Sequence, residues 1–180
     1  MNSENFKVLD NSELQNRIVN ISLVVFSIFL TLAYIGTTIR ALNYEIDISY
    51  YIQSFDLFIL LSLTIFRKYL NIKIKAYVII IISFSVIFAS LLSVGFFASA
   101  RLYIIVIPIY LYFVLSYRQA IFTFVVYILL FILFGYLYVG GFLNYNFNLA
   151  DYIAKPVVWM IESINIIALS MGILIVIHHY

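Results

Sequence analysis

Two acids stand where an acid is expensive. Asp56 and Glu162 each lie within an apolar run, about seven residues from its outer end. At 1.5 Å per residue that places both roughly 10 Å below one membrane surface, if the runs are helices. An ionisable side chain at mid-bilayer costs about 2.5–3.5 kcal/mol on insertion scales, so each is a candidate functional group. Gln53 precedes Asp56 by one helical turn, and Asn165 follows Glu162 by one, so each acid belongs to a polar stripe. Trp159 sits one turn before Glu162, and Arg101 opens another apolar run at the same outer level. Together these six residues suit a ligand, proton or cation site opening outward, provided the two acidic helices are neighbours. The other reading is a structural polar cluster, with the acids paired to Arg40, Arg101 or a backbone donor and gluing helices together. Arg101 equally suits an anionic ligand group or, by snorkelling, a lipid phosphate.

Other chemistry is poorly provided for. The chain has no cysteine, which removes thiolate metal sites, disulfides and thiol catalysis. His178 and His179 are adjacent, so on a helix they point about 100° apart and do not easily share one metal ion. No GxSxG, HExxH, phosphate loop or GxGxxG occurs, and the acids show no metal-ligand spacing. Neither a catalytic site nor a cofactor is expected in this chain, and the scattered basic residues give no nucleic-acid surface.

The elements that must carry these side chains follow from composition. Of 180 residues, 66% are hydrophobic and 10% charged, the mean hydropathy is +1.12 and the net charge +2. No water-soluble core could hide so much apolar surface, so lipid is the main solvent. A helix needs about 20 apolar residues to cross a bilayer. The sequence predicts an all-α, polytopic bundle of six transmembrane helices over residues 18–38, 49–66, 76–97, 102–117, 119–139 and 156–177, behind a polar N-terminal segment 1–17. Pro156 is a natural first-turn proline for the last helix. Glu4, Asp10 and Glu13 make the N-terminal segment unlike a cleavable signal peptide.

Lys and Arg in short loops stay cytoplasmic. With six spans one side carries Lys7, Arg17, Arg67, Lys68, Lys73, Lys75 and Arg118; the other carries Arg40, Arg101 and Lys155. Both termini are therefore expected in the cytoplasm, with the protein multi-pass in the inner membrane. The turn at residues 98–101 is so short that a re-entrant third–fourth hairpin would instead leave five spans and flip the C-terminus. Outer loops are expected at 41–48 and 141–155, the latter long enough to lie over the bundle as a partial lid. An interfacial aromatic belt accounts for most of the 16 tyrosines. Pro108 removes one backbone hydrogen bond from the fourth helix, which makes a kink or a hinge.

The stretch 100–141 resembles the N-terminal multi-helix membrane regions of bacterial sensor histidine kinases that continue into PAS and kinase domains. The resemblance rests on Ala100-Arg101-Leu102-Tyr103, Pro108, the turn Tyr117-Arg118-Gln119-Ala120, Gly135-Tyr136-Leu137-Tyr138 before Gly140-Gly141, and Trp159 early in the last helix. It implies a sensory input domain that perceives a small ligand from the outer face or a membrane state. It also implies a cytoplasmic kinase downstream and a homodimer through that continuation. The kinase's phosphorylatable histidine is not to be sought in His178 or His179.

The competing reading is the substrate-binding subunit of a vitamin-type transporter, which matches in length and helix number. Against it, such subunits are rich in small residues in their first helix, and this one offers only Ala33, Gly36, Thr37 and Thr38, with six glycines in the whole chain. A structural protein whose polar residues only join helices is the third possibility.

Overall fold

The computed structural model describes residues 11–43, 48–95, 99–144 and 154–179. They form six helices: α1 (Asn11–Asn43), α2 (Ile48–Ile65), α3 (Ile72–Val94), α4 (Tyr103–Val114), α5 (Tyr117–Val139) and α6 (Pro156–His179), with a 3₁₀ turn at Ser99–Leu102 leading into α4. No strand occurs among the described residues. Five helices are long and apolar enough to cross a membrane, and α4 is the shorter, equally apolar one. This is an all-helical membrane protein.

Helix ends follow local chemistry. Asn71 Oδ1 accepts from Lys73 N at 2.9 Å and opens α3. Ser116 caps α5: Gln119 N is 3.4 Å from Ser116 Oγ, which in turn donates to Gln119 Oε1 at 3.1 Å. That cap ends α4 at Val114 and starts α5 at Tyr117, where hydropathy alone put the break at 117–119. Gly141, at φ +73°, turns the chain out of α5. The first helix begins at Asn11 although its apolar run begins only at Ile18. Gln15 and Asn16 in the added turns find partners on other helices, so the polar start is held by packing. Most of the expected lid (145–153), the middle of the 41–48 loop (44–47) and residues 96–98 lie outside the described residues.

Side-chain bonds fix the direction of each helix. Ser27 and Thr64 hydroxyls are 2.6 Å apart, and Ser54 Oγ is 2.9 Å from Tyr34 Oη, so α2 runs antiparallel to α1. Three contacts climb α3 and α5 together: Gln119 Nε2 donates to Tyr77 Oη at 2.7 Å, Ser83 bonds Tyr127, and Tyr138 Oη donates to the carbonyls of Leu91 and Leu92 at 3.1 and 3.0 Å. These helices are therefore parallel, and α4 returns from the end of α3 to the start of α5. One end of the bundle gathers Arg17, Arg67, Lys68, Lys73, Lys75 and Arg118 and is called the basic end below.

Around the bundle α6 packs on α1, α1 on α2, α2 on α3, and α3 on α5. Helix α4 closes the ring by packing on α5 and α6, and it also touches α1 and α3. It buries Ile104, Ile107, Pro108, Tyr110 and Leu111 and leaves Ile105, Ile109 and Tyr112 facing outward. The α1–α6 contact is close because Gly36 and Gly172 carry no side chain. A Cβ on Gly36 would meet Ile161 Cγ1 at 2.7 Å, and one on Gly172 would meet the Phe26 ring at 3.1 Å.

Gly36→Val should therefore lower stability by about 1–3 kcal/mol through overpacking. Gly135→Ala, where nothing lies within 4 Å of the added Cβ, should leave it unchanged or slightly raised. Thermal unfolding of both variants in one detergent tests the pair; equal loss in both would mean that the α1–α6 contact is not the tight one.

Candidate functional site

Helix α2 turns a stripe of Ser49, Asp56, Leu60 and Leu63 into the bundle. Asp56 thus occupies a position that packing alone would give to a leucine, and it is 3% exposed. The Ser85 hydroxyl of α3 lies beside its carboxyl group. The other oxygen, Oδ2, is buried and has no hydrogen-bond partner among the described residues. Gln53 follows the same stripe one turn toward the opposite end and is half-buried.

One turn toward the basic end from Asp56, Leu60 forms part of a cavity at mid-height in the bundle. Five helices line it: Phe26, Phe29 and Leu30 from α1, Leu60 from α2, Ile79, Ile82, Ser83 and Val86 from α3, Tyr103 and Ile107 from α4, and Asn165 and Ala168 from α6. Its volume is about 40 Å³. The walls are hydrocarbon with few polar atoms, and Ser83 already bonds Tyr127 and the Ile80 carbonyl. Such a lining suits a ligand that is apolar over most of its surface and meets one or two fixed polar groups.

The six residues singled out from the sequence do not converge on one point. Asn165 lines the cavity, and Asp56 is buried where α2 meets α3. Glu162 is half-buried one turn from Asn165 on α6. Helix α1 packs against both α2 and α6, and no comparable interface joins α2 to α6 among the described residues. The two acidic stripes therefore belong to separate helix contacts rather than one. Arg101 is exposed in the 3₁₀ turn, and Trp159 is 65% exposed on the outside of α6. Tyr51 and Tyr136 are exposed with it, as an interfacial belt requires. Tyr34, Tyr127 and Tyr138 instead bond neighbouring helices. Among the described residues no group of three or more His, Cys, Asp or Glu comes together.

Hydropathy marks Lys75 as a boundary charge, yet it is 1% exposed. Its Nζ donates to Asn16 Oδ1 at 2.7 Å and Asn20 Oδ1 at 2.8 Å, pinning α3 to α1 at the basic end. The sequence signal was there: Asn16 and Asn20 are four apart and share a helix face. A second buried polar contact joins α1 to α4, where the Tyr110 hydroxyl lies beside Ser22. Neither Ser22 Oγ nor Tyr110 Oη completes a hydrogen bond among the described residues.

The model of one protein family, MASE11, matches residues 13–179. No curated protein and no solved structure matches the chain.

The Lys75 clamp gives a measurable expectation. Hydrogen bonds from a charged donor contribute about 1.5–3 kcal/mol each, so Lys75→Met should destabilise the bundle by about 3 kcal/mol. Lys73→Met, at an exposed position, should change stability by less than about 0.5 kcal/mol. Chemical unfolding in mixed micelles compares the two, and equal effects would remove the clamp from the account.

Proposed function

The chain belongs to the MASE11 family of membrane-associated sensor domains, and from that premise we propose that it is the membrane-embedded input region of a bacterial signal-transduction histidine kinase. It perceives a ligand or a membrane state and passes the signal to a cytoplasmic kinase. The observation that carries this reading is the cavity shared by α1, α2, α3, α4 and α6. An occupant touching five helices stabilises whichever arrangement of them fits it, and a signal needs only a differential affinity for two arrangements. The α6 wall of the cavity, Asn165 and Ala168, is about three to four turns from the basic end of that helix, so a shift at the wall is carried along a continuous rod.

The proposed topology has all six helices crossing the inner membrane with both termini in the cytoplasm. It is supported by the parallel run of α3 and α5, which requires α4 to return between the two ends of the bundle. It is also supported by the charge asymmetry of those ends. The cytoplasmic continuation of α6 would pair two copies and couple them to the kinase.

The full-length protein in bacterial lipid is expected to transfer phosphate from ATP to one of its own histidines. Ala168→Leu, which fills the cavity from the α6 wall, is expected to change the steady-state phosphorylation severalfold. A full-length protein with no labelled histidine would sink the kinase reading. Labelling that Ala168→Leu leaves unchanged would take the cavity out of the signal path.

A further inference from the structure

Two charged residues are buried among the described residues: Lys75 has its partners, and Asp56 has a carboxyl oxygen without one. Ser85 lies beside the carboxyl group; Oδ2 is enclosed and has no hydrogen-bond partner among the described residues. The two helices packed against α2 are α1 and α3. On α3 the ionisable groups are Lys73, Lys75 and Tyr77, all near the basic end; Lys75 is ten residues from Ser85, about 15 Å along the axis. On α1 they are Glu13, Arg17, Tyr34 and Arg40. Glu13 and Arg17 lie at the basic end, and Tyr34 is engaged with Ser54. Arg40 is six residues beyond Tyr34, about 9 Å further toward the opposite end.

We infer that the Asp56–Ser85 centre binds one monovalent positive charge, a proton or a sodium ion. The argument is one of charge and of donor chemistry. A carboxylate with no countercharge is not tolerated in a low-dielectric interior, so the centre recruits one. A single carboxylate neutralises a single charge; a divalent ion there would leave the site as unbalanced as before. The donors are hard oxygens, a carboxylate and a hydroxyl, which suit a proton or an alkali ion and not a soft transition metal. Position adds a consequence. The centre joins α2 to α3 about one turn from the cavity wall, so occupancy tightens the contact on which Leu60 and Val86 are carried. This site goes beyond the sensory reading and stands or falls without it, because binding is measured with no reference to phosphorylation.

The test is thermal unfolding of the full-length protein in lipid nanodiscs. Sodium is titrated against an organic cation at constant ionic strength, and pH is then varied without sodium. A melting temperature that rises with sodium identifies the alkali ion. One that falls as pH rises, with sodium indifferent, identifies the proton. Either response should vanish in Asp56→Asn, which carries no charge to balance. If that variant does not fold, Ser85→Ala should raise the half-saturating sodium concentration, or shift the pH midpoint by the equivalent, about tenfold. A wild type indifferent to both ions overturns the inference. Responses that survive in Asp56→Asn or are unmoved in Ser85→Ala also overturn it.

Discussion

Hydrocarbon offers no hydrogen-bond partner, and every polar atom in this bundle has to be answered by another protein atom. The hydroxyls show how completely the rule is met. Thr31, Thr37, Thr38 and Ser62 each donate to the carbonyl four residues earlier in their own helix. Ser27, Ser54 and Thr64 make the same local bond and also reach a hydroxyl on a neighbouring helix. The joins between helices are built from this second group. Against so consistent a pattern Asp56 Oδ2, Ser22 Oγ and Tyr110 Oη stand out as the buried side-chain atoms that no protein partner answers among the described residues.

The same constraint explains why the bundle is not organised by hydrophobicity. Lipid is as apolar as a leucine side chain, so burying Leu or Ile against another helix gives little that lipid does not. Large apolar residues are accordingly left outside on most helices, such as Phe58 on α2, Ile81 on α3 and Leu129 on α5. What selects one helix order is shape and polar pairing. Gly36 and Gly172 admit close approach of α1 to α6, Lys75 ties α1 to α3, and tyrosines 77, 127 and 138 bond across the α3–α5 contact.

This division also sets what the sequence discloses. The helices and their approximate limits are plain in the hydropathy, because a run of about 20 apolar residues has one structural use. Finer limits depend on capping: Ser116 with Gln119 moved the α4–α5 break, and Gln15 and Asn16 lengthened α1. Helix order was not legible, since residues facing lipid and residues facing a helix are drawn from the same apolar set. The placement of Asp56 and Glu162 on separate helix contacts follows from that order, and no spacing within α2 or α6 encodes it. Lys75 was legible only as a charge. Whether a boundary lysine points to water or into the bundle depends on the amides of a helix about 55 residues away in sequence. The cavity was invisible for a different reason: a void shared by five helices leaves no mark on any one of them.

Helix α4 has 12 residues, about 18 Å of rise, between neighbours of 23 residues and more. It is not sealed inside the bundle; Ile105, Ile109 and Tyr112 give it a lipid-facing edge. Lipids along that edge meet a hydrophobic wall shorter than the hydrocarbon core of roughly 30 Å, whereas lipids along α5 meet one of full height. In the proposed six-span topology the bilayer would thin on one side of the protein and not on the other, at a cost of a fraction of a kcal/mol per ångström. Hydrophobic mismatch of this one-sided kind makes the protein's elastic energy in the membrane depend on acyl-chain length, and it favours short or disordered chains along a single flank.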